Sequence, residues 1–211
     1  MRHMSSIHQR ITRLIVVMCV LGALSSCGNE NSTELFGYVP PSVKSVANVT
    51  ATQVTAQTTT PFTFKAEQNE VLVVFFGYTN CPDICPATLA NLKNAKKKLG
   101  DHASRVDVAM VTVDPERDTK EIMPKYLSSF LDRFHAIVPA SAEELEATKD
   151  AFQAKSSVTT SADGKVEVTH SGTSYVVDDT GTVIIEWPFG IDVPSMTHDL
   201  NILLDMKESN T

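Results

Sequence analysis

Residues 71–100, VLVVFFGYTNCPDICPATLANLKNAKKKLG, predict a buried strand that is followed at once by a helix. Two cysteines, Cys81 and Cys85, lie at the junction of these elements. Pro86 lacks an amide hydrogen and has a fixed φ angle, which suits the first turn of a helix. We therefore expect Cys85 to be the helix N-cap, where unpaired amide hydrogens and the helix dipole favour its thiolate form. A reactive dithiol at this place suits redox or soft-metal chemistry.

The elements after this junction predict an α/β fold with parallel strands at its centre. The helix is expected over residues 86–99, and the strand RVDVAMVTV follows at 105–113. A strand, a helix and a second strand in this order predict a parallel pair. The next expected elements are a helix over 115–131 with Asp114 as N-cap, the strand FHAIVPA, and a helix that begins with a Ser141–Glu144 capping box. They are followed by a hairpin from SYVVDD to TVIIEW, with its turn at Thr180–Gly181, and by a final helix over 195–208. This order predicts a single-domain thioredoxin-like sandwich, in which a central mixed sheet is flanked by helices.

The N-terminus has the pattern of an export signal. Three arginines and no acidic residue precede the apolar stretch LIVVMCVLGAL. The last leucine of this stretch begins the tetrapeptide LSSC, which ends at Cys27. A basic region, a short apolar core and small residues are typical of a cleaved signal peptide, and the apolar stretch is about half of the roughly 20 residues that a spanning helix needs. LSSC resembles the lipobox of bacterial lipoproteins, in which the cysteine becomes the lipidated first residue; an uncleaved anchor is the alternative.

This pattern divides the chain into three parts. We expect a signal peptide over residues 1–26, then a lipidated N-terminus, tether and weak edge strands over 27–60, and a thioredoxin-like domain over 61–208. Removal of the signal takes three of the 18 basic residues and none of the 25 acidic ones, which leaves a formal charge of −10. Such an acidic domain is a poor partner for nucleic acid or anionic lipid surfaces.

The folded domain keeps a single pair of cysteines. Cys19 would leave with the signal and Cys27 would carry the lipid, so only Cys81 and Cys85 remain. The pair could serve electron exchange, metal binding or stapling, and its spacing alone does not choose, although so short a loop gains little from a staple. Thioredoxin-type enzymes have a two-residue spacer; the extra residue here could let both sulfurs face an ion, and thiolates prefer Cu(I). A third donor is then expected among the histidines.

His170 is the candidate for this third donor. It lies in THSGTSY, at the end of the strand VEVTH, where a thioredoxin-like fold brings the chain beside the cysteine loop. Generic thioredoxins have a cis-proline there, whereas this sequence has no proline between Pro139 and Pro188. A histidine at that place favours metal binding over disulfide exchange. The other histidines of the domain are expected to be structural or solvated: His102, His135 and His198.

Three segments together resemble a known family. FFGYTNCPDICPATL, VTVDPERDT and THSGTSYVVDDTGTV are similar, in order and approximate spacing, to the motifs of the Sco/SenC copper chaperones, which serve the binuclear copper centre of cytochrome c oxidase. The likeness covers about residues 60–208. It implies that Cys81, Cys85 and His170 are copper ligands for Cu(I) and Cu(II), and that the two cysteines also act as a redox dithiol that cycles through a disulfide.

Three polar residues of these segments are given no metal role. Asn80 stands where many relatives carry histidine, which leaves no auxiliary donor at that position. Asp83 belongs to the family loop, and we expect a solvated turn residue. Asp114 is expected to act only as a helix N-cap. The aromatic residues near the end of the first strand are expected to belong to the core: Phe75, Phe76 and Tyr78.

Three classes of function follow from this reading of the sequence. The first is a membrane-anchored metallochaperone that delivers copper to the binuclear copper centre of cytochrome c oxidase, or maintains the cysteines of that centre. The second is a membrane-tethered thiol-disulfide oxidoreductase acting on protein cysteines, and the third is a copper-dependent redox sensor. The expected partners are the copper-bearing subunit of the oxidase and other copper chaperones or thiol reductases. The expected location is the cell envelope outside the cytoplasm, which is the periplasm in a Gram-negative cell.

The signal pattern predicts that Cys27 is the first residue of the mature protein and carries the lipid. Cys27→Ser should abolish acylation and release the domain from the membrane fraction, because stable attachment needs more than one acyl chain and a lipoprotein cysteine supplies them. Intact-mass analysis of the membrane fraction measures this. A mature chain that begins elsewhere, or a Cys27→Ser variant that stays acylated, would contradict the prediction.

Overall fold

The fold is seen in a computed structural model, in which residues 34–208 are described. The expected signal peptide over 1–26 and the expected lipidation site Cys27 lie outside these residues. Within residues 34–208, no helix is both long enough and apolar enough to cross a bilayer.

A mixed sheet with flanking helices makes up this part of the chain. Its strands are β1 (Lys44–Ser45), β2 (Thr50–Val54), β3 (Thr59–Thr63), β4 (Val71–Gly77), β5 (Val106–Thr112), β6 (His135–Ile137), β7 (Ser156–Thr160), β8 (Val166–His170), β9 (Ser174–Val177) and β10 (Thr182–Trp187). Its helices are α1 (Ile84–Lys98), α2 (Ile122–Ser128), α3 (Ala142–Phe152) and α4 (Val193–Glu208), with a 3₁₀ helix at Gly100–Arg105. Eight strands form one sheet in the order β1-β10-β9-β4-β5-β6-β2-β3, and β7 and β8 form a separate pair.

The centre of the sheet is parallel and its two sides are antiparallel. β4 pairs parallel with β5, and β5 with β6. β9 pairs antiparallel with β4, and β10 returns antiparallel to β9 after a turn at Gly181, whose φ is +78°. The predicted parallel pair and the predicted C-terminal hairpin are therefore confirmed.

Strand β4 is buried along its whole length, and its alternate side chains enter two separate cores. Val73 and Phe75 pack on the face covered by α1, α2 and α4. Val74 and Phe76 pack on the opposite face, where α3 contributes the fully buried Phe152. Because helices cover both faces, β4 is apolar throughout instead of alternating. The thioredoxin-like sandwich expected from the sequence is confirmed.

The prediction of a helix over residues 115–131 is wrong for its first half. The amides of Arg117 and Asp118 donate to the carbonyl of Asp114, which closes a turn, and α2 begins only at Ile122. This start places Pro124 in the first turn of the helix. A proline deeper inside a helix would lose a backbone hydrogen bond and clash with the carbonyl four residues before it. The helix therefore cannot extend back to residue 115.

Two further points concern the edges of the fold. β1 and β2 lie in the segment where weak edge strands are expected, and they pair with β10 and β6 in the main sheet. β8, which carries the strand VEVTH, pairs with β7 outside the main sheet. β7 has the sequence SSVTT and is mostly exposed, so it offers no apolar alternation by which it could be predicted.

Only one of the two hydrogen bonds of the expected capping box forms at the start of α3. The Ser141 hydroxyl accepts a hydrogen bond of 3.3 Å from the amide of Glu144. The Glu144 carboxylate does not return to Ser141. It accepts instead from the amide of Ala140 at 3.2 Å, from the backbone amide of Thr52 and, at 3.1 Å, from the Thr52 hydroxyl, and so ties the start of α3 to strand β2.

An ion-pair cluster at the start of β5 gives the fold an acid-sensitive contact. The Asp107 carboxylate lies 2.7 Å from Arg133 Nη2 and 3.4 Å from His135 Nε2. Burial raises the pKa of Asp107, but the hydrogen bonds and charges of His135 and Arg133 outweigh it and lower this pKa to about 2. A carboxylate whose pKa is lower in the folded state stabilises the fold above its unfolded pKa of about 3.9, and this contribution is lost as the pH falls towards 2.

Asp107→Asn should therefore flatten the acid side of the stability profile. Between pH 5 and pH 2 we expect the free energy of unfolding of the unmodified protein to fall by about 2 kcal/mol more than that of the variant. Urea denaturation at a series of pH values measures both profiles. Parallel profiles would show that Asp107 has the same pKa in the folded and unfolded chains.

Candidate metal centre

The cysteine loop begins where β4 ends. After Gly77 the chain turns, and the amide of Cys81 donates to the carbonyl of Tyr78 at 3.2 Å. Helix α1 starts at Ile84, with Asp83 at its N-cap position. The expectation that Cys85 is the N-cap is thus wrong, because the helix begins one residue before it; Pro86 still lies in the first turn, where its missing amide costs no hydrogen bond.

The position of Cys85 inside the helix changes its chemistry. Its thiol is fully buried, and this burial raises its pKa well above the ordinary value. The expectation of a thiolate at Cys85 is therefore wrong, because removal from water disfavours the charged form more than the helix N-terminus favours it. The helix N-terminus acts on the other sulfur, since the Cys85 amide donates to Cys81 Sγ at 3.4 Å.

His170 approaches these sulfurs from the end of β8. Its Nδ1 lies 3.0 Å from the carbonyl oxygen of Ser171, to which it donates. A proton on Nδ1 leaves the lone pair of Nε2 available, and Nε2 lies 3.7 Å from Cys85 Sγ. The backbone hydrogen bond thus orients the ring in the way that metal-binding histidines are commonly oriented.

The three candidate ligands meet in one cluster. Cys81 Sγ, Cys85 Sγ and the ligand nitrogen of His170 all lie within 4.8 Å of one another, and both cysteines are free thiols. For metal–donor bonds of about 2.0–2.3 Å, three donors around one ion lie roughly 3.5–4 Å apart. The cluster therefore needs only a small contraction to hold an ion. Two thiolates and an imidazole are a soft donor set that suits copper.

The other histidines of the described chain lie elsewhere, as expected. His102 is 4.0 Å from Asp205. His135 pairs with Asp107 and stacks on Phe62 at a ring distance of 4.6 Å. His198 packs against Phe36, with ring centroids 4.8 Å apart. Among residues 34–208, only Cys81, Cys85 and His170 form a group of three or more His, Cys or acidic ligands.

Tyr78 belongs to the site and not to the core alone, which corrects the expectation for this residue. Phe75 and Phe76 are buried as predicted, but Tyr78 is only partly buried. Its ring meets the His170 ring edge to face, with centroids 5.9 Å apart and planes at 86°. Burial and the nearby charges of the two cysteine sulfurs raise the pKa of Tyr78. A tyrosine directly after a buried strand gives no sign in the sequence of which ring it will contact.

Asp118 supports the cysteine loop, a role that the sequence did not indicate. It is fully buried, and its carboxylate accepts from the backbone amide of Thr79 at 3.0 Å and from the Thr112 hydroxyl at 2.6 Å. The Thr79 hydroxyl also contacts this carboxylate. Burial raises the pKa of Asp118, while the hydrogen bonds from Thr112 and Thr79 oppose this shift. The second segment, VTVDPERDT, thus fixes the cysteine loop two residues before Cys81.

The remaining polar residues of the three segments have simple roles. Asp83 is exposed and its side chain makes no capping hydrogen bond to α1, in keeping with a solvated turn residue. Asn80 is exposed. Asp114 caps no helix, contrary to expectation: its carbonyl closes the turn at residues 114–118, and its carboxylate pairs with Arg117.

The comparison with protein families agrees with these features. The family model SCO1/SenC matches residues 47–205. The chain belongs to the SCO1/SenC family. The resemblance drawn from the three segments is thereby confirmed. An SCO2-like protein of Rickettsia prowazekii is 30% identical over 113 residues, which cover 52% of this chain and 54% of that protein. The match thus spans about half the length of this relative.

Solved structures have the same fold. Apo Sco1 from Thermus thermophilus is 26% identical with a TM-score of 0.64, over 84% of this chain and 98% of that one. ScoI from Bradyrhizobium japonicum, solved with copper bound, is 24% identical with a TM-score of 0.62, over 72% of this chain and 96% of that one. BsSco is a member of the Sco family of cytochrome c oxidase assembly proteins, and a disulfide switch has been identified in it. It is 20% identical with a TM-score of 0.57, over 82% of this chain and 97% of that one.

The end of β4 approaches the Cys85 sulfur so closely that only glycine fits there. A Cβ atom at Gly77 would lie 2.6 Å from Cys85 Sγ. Gly77→Ala should displace that sulfur and weaken Cu(I) binding about tenfold or more, by comparison with the effect of misplaced supporting residues at metal sites. A competition titration with a Cu(I) chelator measures this affinity.

The control for this variant is Gly100→Ala, just beyond the other end of α1. Gly100 has a φ of +59° and no neighbouring atom within 4 Å of an added Cβ. Its replacement should destabilise the fold by about 1 kcal/mol through backbone strain and leave the Cu(I) affinity unchanged. If Gly77→Ala also binds Cu(I) as the unmodified protein does, the close approach does not position the sulfur.

Proposed function

We propose that this protein is a copper carrier for the assembly of cytochrome c oxidase, with Cys81, Cys85 and His170 binding one copper ion. The observation that carries the proposal is the meeting of two free thiols and one oriented imidazole within 4.8 Å. Membership of the SCO1/SenC family supports copper as the cofactor, and the copper-bound ScoI has the same fold. The description of BsSco supports an oxidase assembly role.

The donor set accounts for both oxidation states of copper. Thiolates are soft donors and stabilise Cu(I), while a neutral imidazole also suits Cu(II). Each ligand must lose its proton or keep its lone pair free for the metal. In His170 the hydrogen bond to Ser171 already directs Nε2 towards the sulfurs, so copper binding requires no rotation of the ring.

A thiol-disulfide oxidoreductase is the alternative to a carrier. Thiol exchange needs one accessible attacking thiolate; Cys85 is fully buried and its pKa is raised, so that role would fall to Cys81, which accepts from the Cys85 amide. Maintenance of partner cysteines is the second candidate, because the paired thiols allow it. Cys81 and Cys85 would give up two electrons and two protons to form a disulfide, and the partner's disulfide would become two thiols.

The proposed target is the binuclear copper centre of the oxidase, either by delivery of copper or by reduction of its cysteines. We further propose that the domain acts outside the cytoplasm, attached to a membrane through lipid on Cys27. The sequence pattern of residues 1–27 supports this attachment.

His170→Ala should weaken Cu(I) binding by roughly 100-fold or more, because two thiolates alone leave the ion open to competing ligands. The fold and the ability of Cys81 and Cys85 to form a disulfide should remain. Competition with a Cu(I) chelator measures the affinity, and alkylation with mass spectrometry counts the free thiols in each redox state.

His135→Ala is the matched control, since this histidine also lies at the end of a strand but contacts Asp107 and Phe62. It should lose stability and keep its copper affinity. Thiol-exchange activity in His170→Ala, measured with a disulfide substrate, separates the two candidate functions. Unchanged copper affinity together with rapid thiol exchange in His170→Ala would replace the carrier by the oxidoreductase.

A further inference from the structure

A large aromatic side chain is exposed in the turn between β10 and α4. Phe189 is 49% exposed, whereas Trp187, two residues before it, is fully buried and fixes the end of β10. The amide of Ile191 donates to the carbonyl of Pro188 at 3.2 Å, which closes a tight turn. The third residue of this turn is Gly190, whose φ of +91° favours glycine. The turn thus holds Phe189 in a defined place, so that little entropy is lost when a partner covers its ring.

This turn lies against the loop that follows His170. A Cβ atom on Gly172 would lie 2.7 Å from the Cβ of Phe189 and 3.8 Å from Cγ2 of Ile84. Gly172 comes two residues after His170, and Ile84 directly precedes Cys85. Both residues line a narrow cleft together with Cys85 and His170. The exposed ring is therefore continuous with the side chains that surround the candidate ligands.

Two further apolar side chains extend this surface. Pro82 is exposed in the cysteine loop, and Ile84 is partly exposed at the start of α1. We call Pro82, Ile84 and Phe189 the apolar rim of the site. Two exposed carboxylates follow its members closely in the chain, Asp83 and Asp192. An apolar centre with charged residues around it is typical of protein-binding surfaces.

Transfer of copper to another protein requires contact at this place. Cys81 is only 9% exposed and Cys85 is fully buried, so an acceptor sulfur reaches the ion only when its own chain lies on the surface around them. The transfer of Cu(I) moves no electrons. Bonds to the acceptor's thiolates form while the bonds to Cys81, Cys85 and His170 break, and the protons that the acceptor's thiols release return to the two cysteines.

The charge of the domain restricts which partner can cover the rim. Without residues 1–26 the chain has 15 basic and 25 acidic residues, a formal charge of −10. A second copy of this chain, or an anionic bilayer, would bring like charges together, which opposes association. A protein that carries basic residues beside its thiols would instead be attracted. The charge therefore favours a basic acceptor protein over these two alternatives.

We propose that the apolar rim is the docking surface for the protein that receives copper, with Phe189 as its central contact. The partner is a protein that presents cysteine thiols next to an apolar surface and basic residues. This inference rests on the proposed function, because it requires copper at Cys81, Cys85 and His170. Phe189 does not bind the ion in this proposal; it binds the acceptor.

Phe189→Ser tests the assignment in the full-length protein loaded with Cu(I). The second-order rate constant for transfer to the reduced, metal-free copper-bearing subunit of the oxidase should fall about tenfold, because a central aromatic contact is lost. Transfer to dithiothreitol should keep its rate, since a small dithiol needs no docking surface, and the Cu(I) affinity should be unchanged. Phe189→Tyr keeps the ring and should restore transfer. Val43→Ser is the control, since it replaces an apolar side chain that is 83% exposed before β1, and it should transfer copper at the normal rate.

Neutralisation of the two carboxylates tests the chemistry of the partner. Asp83→Asn combined with Asp192→Asn should slow transfer to the subunit about threefold at low salt and weaken its dependence on ionic strength, because opposite charges speed the encounter. Asparagine can still accept the hydrogen bond that the Ser195 amide donates to Asp192 at 2.8 Å, so the start of α4 is retained. An unchanged or faster rate would overturn the basic partner.

The outcomes separate the docking surface from the proposed function. Equal rates of transfer to the subunit in Phe189→Ser and in the unmodified protein would refute the docking surface and leave the copper carrier standing. Slower transfer to dithiothreitol as well, or a lower Cu(I) affinity, would place Phe189 in the copper site and overturn the inference. If the unmodified protein passes no copper to the subunit, the carrier and its docking surface are both refuted.

Two further measurements test the other occupants of the rim. A dimer in sedimentation that Phe189→Ser dissociates would make a second copy the occupant. In the Cys27→Ser background, binding to phosphatidylglycerol vesicles that is lost with Phe189→Ser would make a membrane the occupant. Either result overturns the inference, and we expect neither.

Discussion

The burial of β4 on both of its faces is the constraint on which the site depends. Every residue from Val71 to Gly77 is buried, so the strand cannot shift its register without moving apolar side chains into water. Its end is therefore fixed, and the cysteine loop starts from a rigid position. At that end Gly77 lets α1 approach until the Cys85 sulfur touches the strand. The place of one candidate ligand thus follows from sheet packing and not from the loop.

The other side of the loop is held by a buried charge. Asp118 lies in a turn after β5, and its carboxylate receives hydrogen bonds from Thr79 and Thr112. A buried carboxylate is costly unless it is well hydrogen-bonded, and removal of one partner leaves that cost uncompensated. The hydrogen bond from Thr79 to Asp118 therefore anchors the cysteine loop. Neighbouring parallel strands bring the two segments together, because their carboxyl ends lie at the same edge of the sheet.

The sequence predicted the strands and helices whose patterns are strong, and the site residues whose chemistry is unusual. β4, α1 and the C-terminal hairpin each have a clear apolar pattern and clear start or stop signals. Two cysteines before a proline, and a histidine where thioredoxins have proline, pointed to the three residues that the structure brings together. The N-cap is Asp83 and not Cys85, a difference of two residues, and the expected state of Cys85 is reversed because burial outweighs the helix dipole.

Other features could not be predicted because they depend on tertiary contacts. The long helix over 115–131 looked continuous, and Pro124 shows its limit only once the turn at Asp114 is known. Asp118 resembles any turn aspartate until its burial is seen, and Tyr78 resembles a core aromatic until its contact with His170 is known. Each of these residues is defined by what another segment places against it. A single sequence contains the residue types but not these pairings.

The uneven exposure of the three candidate ligands bears on how copper could pass to another protein. Cys85 is fully buried, Cys81 is 9% exposed, and His170 is partly exposed. A thiolate of an acceptor that approaches from solvent would meet Cys81 and His170 before Cys85. Ligands would then be exchanged one at a time, with Cys85 as the last to release the ion. If the protein is the proposed copper carrier, the burial that makes Cys85 a poor nucleophile would also make it the last ligand to release the ion.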